Sequence, residues 1–113
     1  MSMRLLIVDD REENVKSLAM GFARSDYEIL TALGGKEAIN IIKENDVDVV
    51  VTDLKMPDID GMEIVSFCNS LTPPLSVIIV TAFGTIESAV EALKEGAFDY
   101  ITKPVNLKEL RLQ

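Results

Sequence analysis

Five times along this chain a short apolar run precedes a segment whose apolar residues recur at helical spacing. That alternation limits the fold more than any other feature. "RLLIV" (Arg4 to Val8), "DVVVT" (Asp48 to Thr52) and "SVIIVT" (Ser76 to Thr81) are continuous apolar runs, as parallel strands covered on both faces require. "EILTAL" (Glu28 to Leu33) alternates less cleanly and suits a strand nearer an edge, and "DYIT" (Asp99 to Thr102) makes a short fifth strand. Helical stripes follow each run. They are Val15, Leu18, Ala19 and Phe22; Ala38, Ile41 and Ile42, after the break at Gly34-Gly35; and Ile64, Phe67, Cys68 and Leu71, stopped by Pro73-Pro74. Ile86, Ala89, Val90 and Leu93 form the fourth stripe, with Thr85 as N-cap and Gly96 as C-cap. "NLKELRLQ" (Asn106 to Gln113) starts a fifth helix that is short, which suggests a domain taken from a longer protein. The pattern predicts an α/β domain with a doubly wound, five-stranded parallel sheet and right-handed crossovers.

Composition removes several classes of function. With 113 residues, 48% of them hydrophobic, the chain fits one domain with its own core. No apolar run approaches the ~20 residues of a membrane span, and acids follow "RLLIV" at once, unlike a signal peptide. The expected compartment is the cytoplasm. A single cysteine, Cys68, excludes an internal disulfide and falls at a helical core position. The absence of histidine removes Ser/His and Cys/His nucleophile pairs and imidazole metal ligands. A net charge of −8 opposes direct binding to nucleic acid. "GGKEA" has a Gly-Lys but lacks the spaced glycine and the hydroxyl of a phosphate loop.

In a doubly wound sheet, ligands bind beyond the carboxyl ends of the strands. The first strand ends in Asp9-Asp10, the third in Asp53 and the fourth in Thr81, and the fifth leads to Lys103. Three clustered carboxylates repel one another, so positive charge must join them. Lys103 supplies one charge, and Mg²⁺ suits oxygen ligands, waters and phosphate, whereas zinc or copper would call for nitrogen or sulfur. A carboxylate, Mg²⁺, a lysine and a hydroxyl together are what an acyl-phosphate site needs. Each residue alone has an ordinary explanation. Asp9-Asp10 could cap the first helix, Asp53 could open a loop, and Lys103 could be solvated.

At these residues the chain resembles the receiver domain of two-component response regulators. The resemblance covers essentially residues 1–113. It rests on "LIVDD" at 6–10, "VVTDLKMPDIDG" at 50–61, "VIIVTAFG" at 77–84 and "GAFDYITKP" at 96–104. The stretch from Thr81 to Pro104 is most similar to receivers of the nitrogen-regulation type, which precede a sigma-54-activating ATPase and a DNA-binding module. The resemblance implies a flavodoxin-like strand order 2-1-3-4-5 with five helices. It implies that Asp53 accepts a phosphoryl group from a sensor histidine kinase. Asp10, Asp9 and Asp53, with the backbone carbonyl of Lys55, would hold Mg²⁺. Lys103 would pair with Asp53, Thr81 would bond the phosphoryl group, and Tyr100 would change rotamer with it. Met56, Pro57 and Gly61 would shape the loop presenting Asp53, with a cis peptide before Pro104. Arg11, Asn14, Val15 and Val105 would dock the kinase. Ala82 would leave room above the phosphate, and Phe83 would face an interface. The changed surface would lie on the fourth helix, fifth strand and fifth helix, and homodimerisation is left open.

Two other readings compete. A Mg²⁺-dependent phosphatase with an aspartyl nucleophile would carry a second Asp two residues after the first, where this chain has Lys55. An interaction module that never takes phosphate usually lacks part of the acid pair, the central Asp or the lysine, and all of these are present.

Overall fold

The computed structural model describes residues 3–22, 26–82 and 84–102. Strands β1 (Arg4–Val8), β2 (Glu28–Ala32), β3 (Val49–Thr52), β4 (Ser76–Thr81) and β5 (Asp99–Thr102) alternate with four helices. These are α1 (Glu12–Gly21), α2 (Gly35–Glu44), α3 (Gly61–Asn69) and α4 (Ile86–Lys94). The strands form one parallel sheet in the order β2-β1-β3-β4-β5, as expected. The expected fifth helix lies outside the described residues.

The continuous apolar runs explain the two-sided core. Successive strand residues point to opposite faces. Leu5, Ile7, Val49, Val51, Ile78, Val80 and Ile101 pack on one face with Val15 and Phe22. Leu6, Val8, Val50, Val77 and Ile79 pack on the other, with Ala38 and Ile42 of α2, Ile64, Val65 and Cys68 of α3, and Ala92 of α4. Cys68 is wholly enclosed, and burial pushes its thiol up to about 11.

Two details differ from the sequence expectation, and one peptide conformation was not foreseen by it. Leu71 lies beyond α3, which ends at Asn69 with Ser70 as its C-cap, so the helix stops before Pro73-Pro74 is reached. The Thr72–Pro73 peptide in the loop that follows is cis. The stripe of α4 is helical but faces outward. Ile86, Val90 and Leu93 are 85%, 45% and 49% exposed, and Ala92 alone in that helix is buried.

The ends of α4 match the sequence reading. The Thr85 side chain accepts from the Ser88 N–H at 3.0 Å, and the Thr85 N–H donates to Ser88 Oγ at 3.0 Å, a reciprocal capping box. At the other end Ala97 N–H donates to the Ala92 carbonyl and Gly96 N–H to that of Leu93, a Schellman closure. Gly96 takes φ +110°, which side-chain-bearing residues resist.

Candidate functional site

Strand register places the acidic residues. Val8 pairs with Thr52 across β1 and β3, so Asp9 and Asp53 leave the sheet side by side. The Asp53 N–H donates to the Val8 carbonyl at 3.0 Å, and the Asp9 N–H to that of Ala32 at 3.2 Å. Thr81, wholly buried, ends β4 opposite Thr102 of β5. Asp9, Asp10 and Asp53 each bring one carboxylate oxygen within 4.8 Å of the others. Asp9 and Asp53 are buried and Asp10 is exposed. A cation between such oxygens relieves their repulsion, and an all-oxygen set fits a hard divalent ion such as Mg²⁺ or Ca²⁺.

Asp9 also shapes the turn that follows, because its Oδ1 accepts the N–H of Arg11, the N-cap residue of α1, at 3.0 Å. The bond reaches the N–H of the N-cap residue itself, not those of the first helical turn, so Asp9 orders the turn rather than capping α1.

The loop after β3 is tightly folded beneath Asp53. Asp53 Oδ1 accepts the Leu54 N–H at 2.7 Å, and the Thr52 hydroxyl donates to the Asp53 carbonyl at 2.9 Å. Gly61 N–H donates to the Leu54 carbonyl at 2.7 Å, and a Cβ on Gly61 would stand 2.5 Å from the Asp53 carbonyl oxygen. Only glycine lets α3 begin this close to the strand end. Asp60 caps that helix, accepting from the Glu63 N–H at 2.9 Å. Lys55 and Pro57 are exposed, while Met56 is half-buried against the core.

Of the residues expected to dock a partner, Arg11 is exposed and Asn14 half-buried. Val15 is 4% exposed and packs into the α1-side core, so it offers no docking surface. Its place in the helical stripe already pointed inward. Ala82 is exposed beside Thr81. Lys103, Pro104 with its expected cis peptide, Val105 and Phe83 lie outside the described residues.

Two polar residues escaped the sequence reading. Asp58, from the loop after β3, accepts the N–H groups of Gly35 at 3.2 Å and Lys36 at 3.0 Å. It thus caps α2, whose own N-cap position, Gly34, has no side chain. Backbone N–H groups, from Ile59 first and then Lys36, hold the Asp58 carboxyl below its ordinary value of 3.8. A Cβ on Gly35 would stand 2.3 Å from the Ile59 carbonyl oxygen, so the Gly34-Gly35 pair gives the loop room to cross. No local signal joins residues so distant in sequence. Ser88 is the second: its Oγ is 2.6 Å from the hydroxyl of half-buried Tyr100. The Thr-x-x-Ser spacing from Thr85 could have marked its capping role.

A five-stranded parallel sheet of this order with an acidic pocket at its carboxyl edge defines a doubly wound α/β domain with a place for a divalent cation. The chain belongs to the response regulator receiver domain family, which residues 5–113 match. It is 39% identical over 109 residues to the regulatory protein AtoC of Escherichia coli K12, covering 96% of this chain but only 24% of that protein. Among solved structures it is similar to a response regulator receiver domain protein from Clostridium thermocellum (TM-score 0.89, 37% identity, 96% of this chain and 87% of that one). It is similar too to a response regulator from Burkholderia pseudomallei with a phosphorylated aspartic acid, calcium ion and citrate (TM-score 0.88, 27% identity, 96% and 64%). Among the described residues no helix is long and apolar enough to cross a membrane.

Proposed function

We propose that Asp53 accepts a phosphoryl group from a phosphohistidine of a partner kinase, and that this modification switches the surface built by α4 and β5. The observation carrying this reading is the meeting of the Asp9, Asp10 and Asp53 carboxylates within 4.8 Å at adjacent strand ends. The phosphorylated aspartate and calcium ion of the Burkholderia relative support it.

In the transfer, an Asp53 oxygen attacks phosphorus, the new P–O bond forms, and the P–N bond breaks, with the imidazole keeping the electron pair. Water later attacks the same phosphorus and releases phosphate, restoring the carboxylate. Asp10 and Asp9, with Asp53 and the Lys55 carbonyl, would hold Mg²⁺, which when bound offsets charge on the phosphoryl oxygens. Lys103 pairs with the phosphoryl group, and the Thr81 hydroxyl donates to it. Phosphorylation adds negative charge and strong acceptor oxygens, and it shifts the population towards the conformer in which Thr81 and Tyr100 have moved. Arg11 and Asn14, with Val105, meet the kinase.

The domain serves as the receiving part of a longer cytoplasmic transcription regulator of the nitrogen-regulation type, with an ATPase and a DNA-binding module. In support, the chain spans about a quarter of AtoC, which is named as a regulatory protein. Incubation with Mg²⁺ and acetyl phosphate, followed by intact-mass measurement, tests the chemistry. One added phosphoryl group is expected, absent in Asp53→Asn. No addition to the folded chain, or equal labelling of the variant, rejects it.

A further inference from the structure

The Tyr100 hydroxyl ends in a crowded set of hydrogen bonds. Ser88 Oγ lies 2.6 Å from it, 3.0 Å from the Thr85 N–H nitrogen, and 3.1 Å from both Thr85 Oγ1 and the Thr85 carbonyl oxygen. Either hydroxyl can supply the proton of the 2.6 Å bond, and its Ser88 end belongs to the capping box of α4.

The ring is held at close quarters as well. A Cβ on Gly84 would stand 3.0 Å from both Cε1 and the hydroxyl of Tyr100, and 2.9 Å from Thr102 Cγ2. Beside it runs a cleft of about 370 Å³, lined by residues including Gly84, Thr85, Ile86, Ala89 and Tyr100. Tyr100 therefore has space to move into, and its hydroxyl bond opposes that movement. Because α4 buries only Ala92, little apolar packing resists a shift of its first turn.

We propose that Ser88 is a positioning residue that latches Tyr100, in the rotamer described above, to the first turn of α4. A change of Tyr100 rotamer breaks this bond and unties β5 from the start of α4, while the capping box itself stays closed. That phosphorylation selects against this rotamer rests on the function proposed above, but the latch itself does not.

The experiment uses the whole 113-residue chain with ¹³C-labelled tyrosine, and Ser88→Ala, Ser88→Thr, Tyr100→Phe and the double variant Ser88→Ala/Tyr100→Phe. Without phosphoryl donor, Ser88→Ala should shift the Tyr100 ring signals and loosen the ring, leaving those of Tyr27 in place, and Ser88→Thr should restore them. An unchanged Tyr100 ring in Ser88→Ala overturns the latch. With Mg²⁺ and beryllofluoride, a phosphoryl mimic, losing one such bond should tighten apparent binding by about 2- to 10-fold. Tyr100→Phe keeps the Ser88 cap and should tighten binding equally, and the double variant should add nothing further. Weaker binding, or additive effects, also overturns the proposal. Failure of the unaltered chain to bind beryllofluoride defeats the phosphorylation reading, and the ring signals then decide the latch by themselves.

Discussion

Helices α3 and α4 are both nine residues long and cover the same face of the sheet, but they are fastened by different forces. Helix α3 encloses Ile64, Val65 and Cys68, whereas α4 encloses one alanine and turns Ile86, Val90 and Leu93 outward. Fully burying an aliphatic side chain contributes about 1.5–3 kcal/mol, so α3 is anchored by area. Helix α4 is held at its ends, by the Thr85–Ser88 box, the closure at Gly96 and the Tyr100 bond. A helix held by a few directional bonds can move by exchanging them; one held by area cannot move without exposing it. The anchored helix starts directly under Asp53, and the loosely packed one lies beside Tyr100.

The largest effect should come from the anchored helix. Ile64→Ala leaves a hole against the sheet and should lower unfolding stability by about 2–5 kcal/mol in urea titration. A loss below the range expected of a surface residue would undo the contrast. Thr85→Ala removes the side-chain half of the α4 cap and should lower stability by about 1 kcal/mol, with faster amide exchange in the first turn of α4 than in α3. Equal exchange in both helices would show that α4 is not held by its ends.

Asp58 tests a third form of fastening, a charge at the start of α2. Its folded carboxyl titrates below 3.8, so its contribution is complete above that value and fades as pH falls through the folded one. Asp58→Asn should therefore be less stable than the unaltered chain at pH 6, and the gap in urea midpoint should narrow below pH 4. A gap that widens with acid would reverse the assignment. Leu93→Ser should change stability least, within about 0.5 kcal/mol, because the side chain is half exposed. A large loss there would mean that α4 is packed like α3.

The sheet was legible in the sequence because its central strands are buried on both faces, and nothing but continuous apolar runs suits them. The acid trio was legible because parallel strands must all end at one edge. Helix α4 shows where such reading stops. Periodicity reports that Ile86, Val90 and Leu93 share a face, but not whether anything covers it. Val15 shows the reverse. Its helical spacing put it in the core, and the resemblance alone assigned it to a docking surface. The Asp58 cap was invisible because its donors, Gly35 and Lys36, lie more than twenty residues away and meet it only once the sheet has formed. Ser88 was passed over because a serine three residues after a threonine is ordinary. Its importance comes from Tyr100, reached through the fold.

The enclosure of Cys68 has a practical side. The chain's sole sulfhydryl is shielded by the helix that starts under Asp53, and at neutral pH it stays protonated. Alkylating reagents can reach it only when that helix lifts away. The molecule thus carries its own gauge of how often the ground beneath its acceptor gives way.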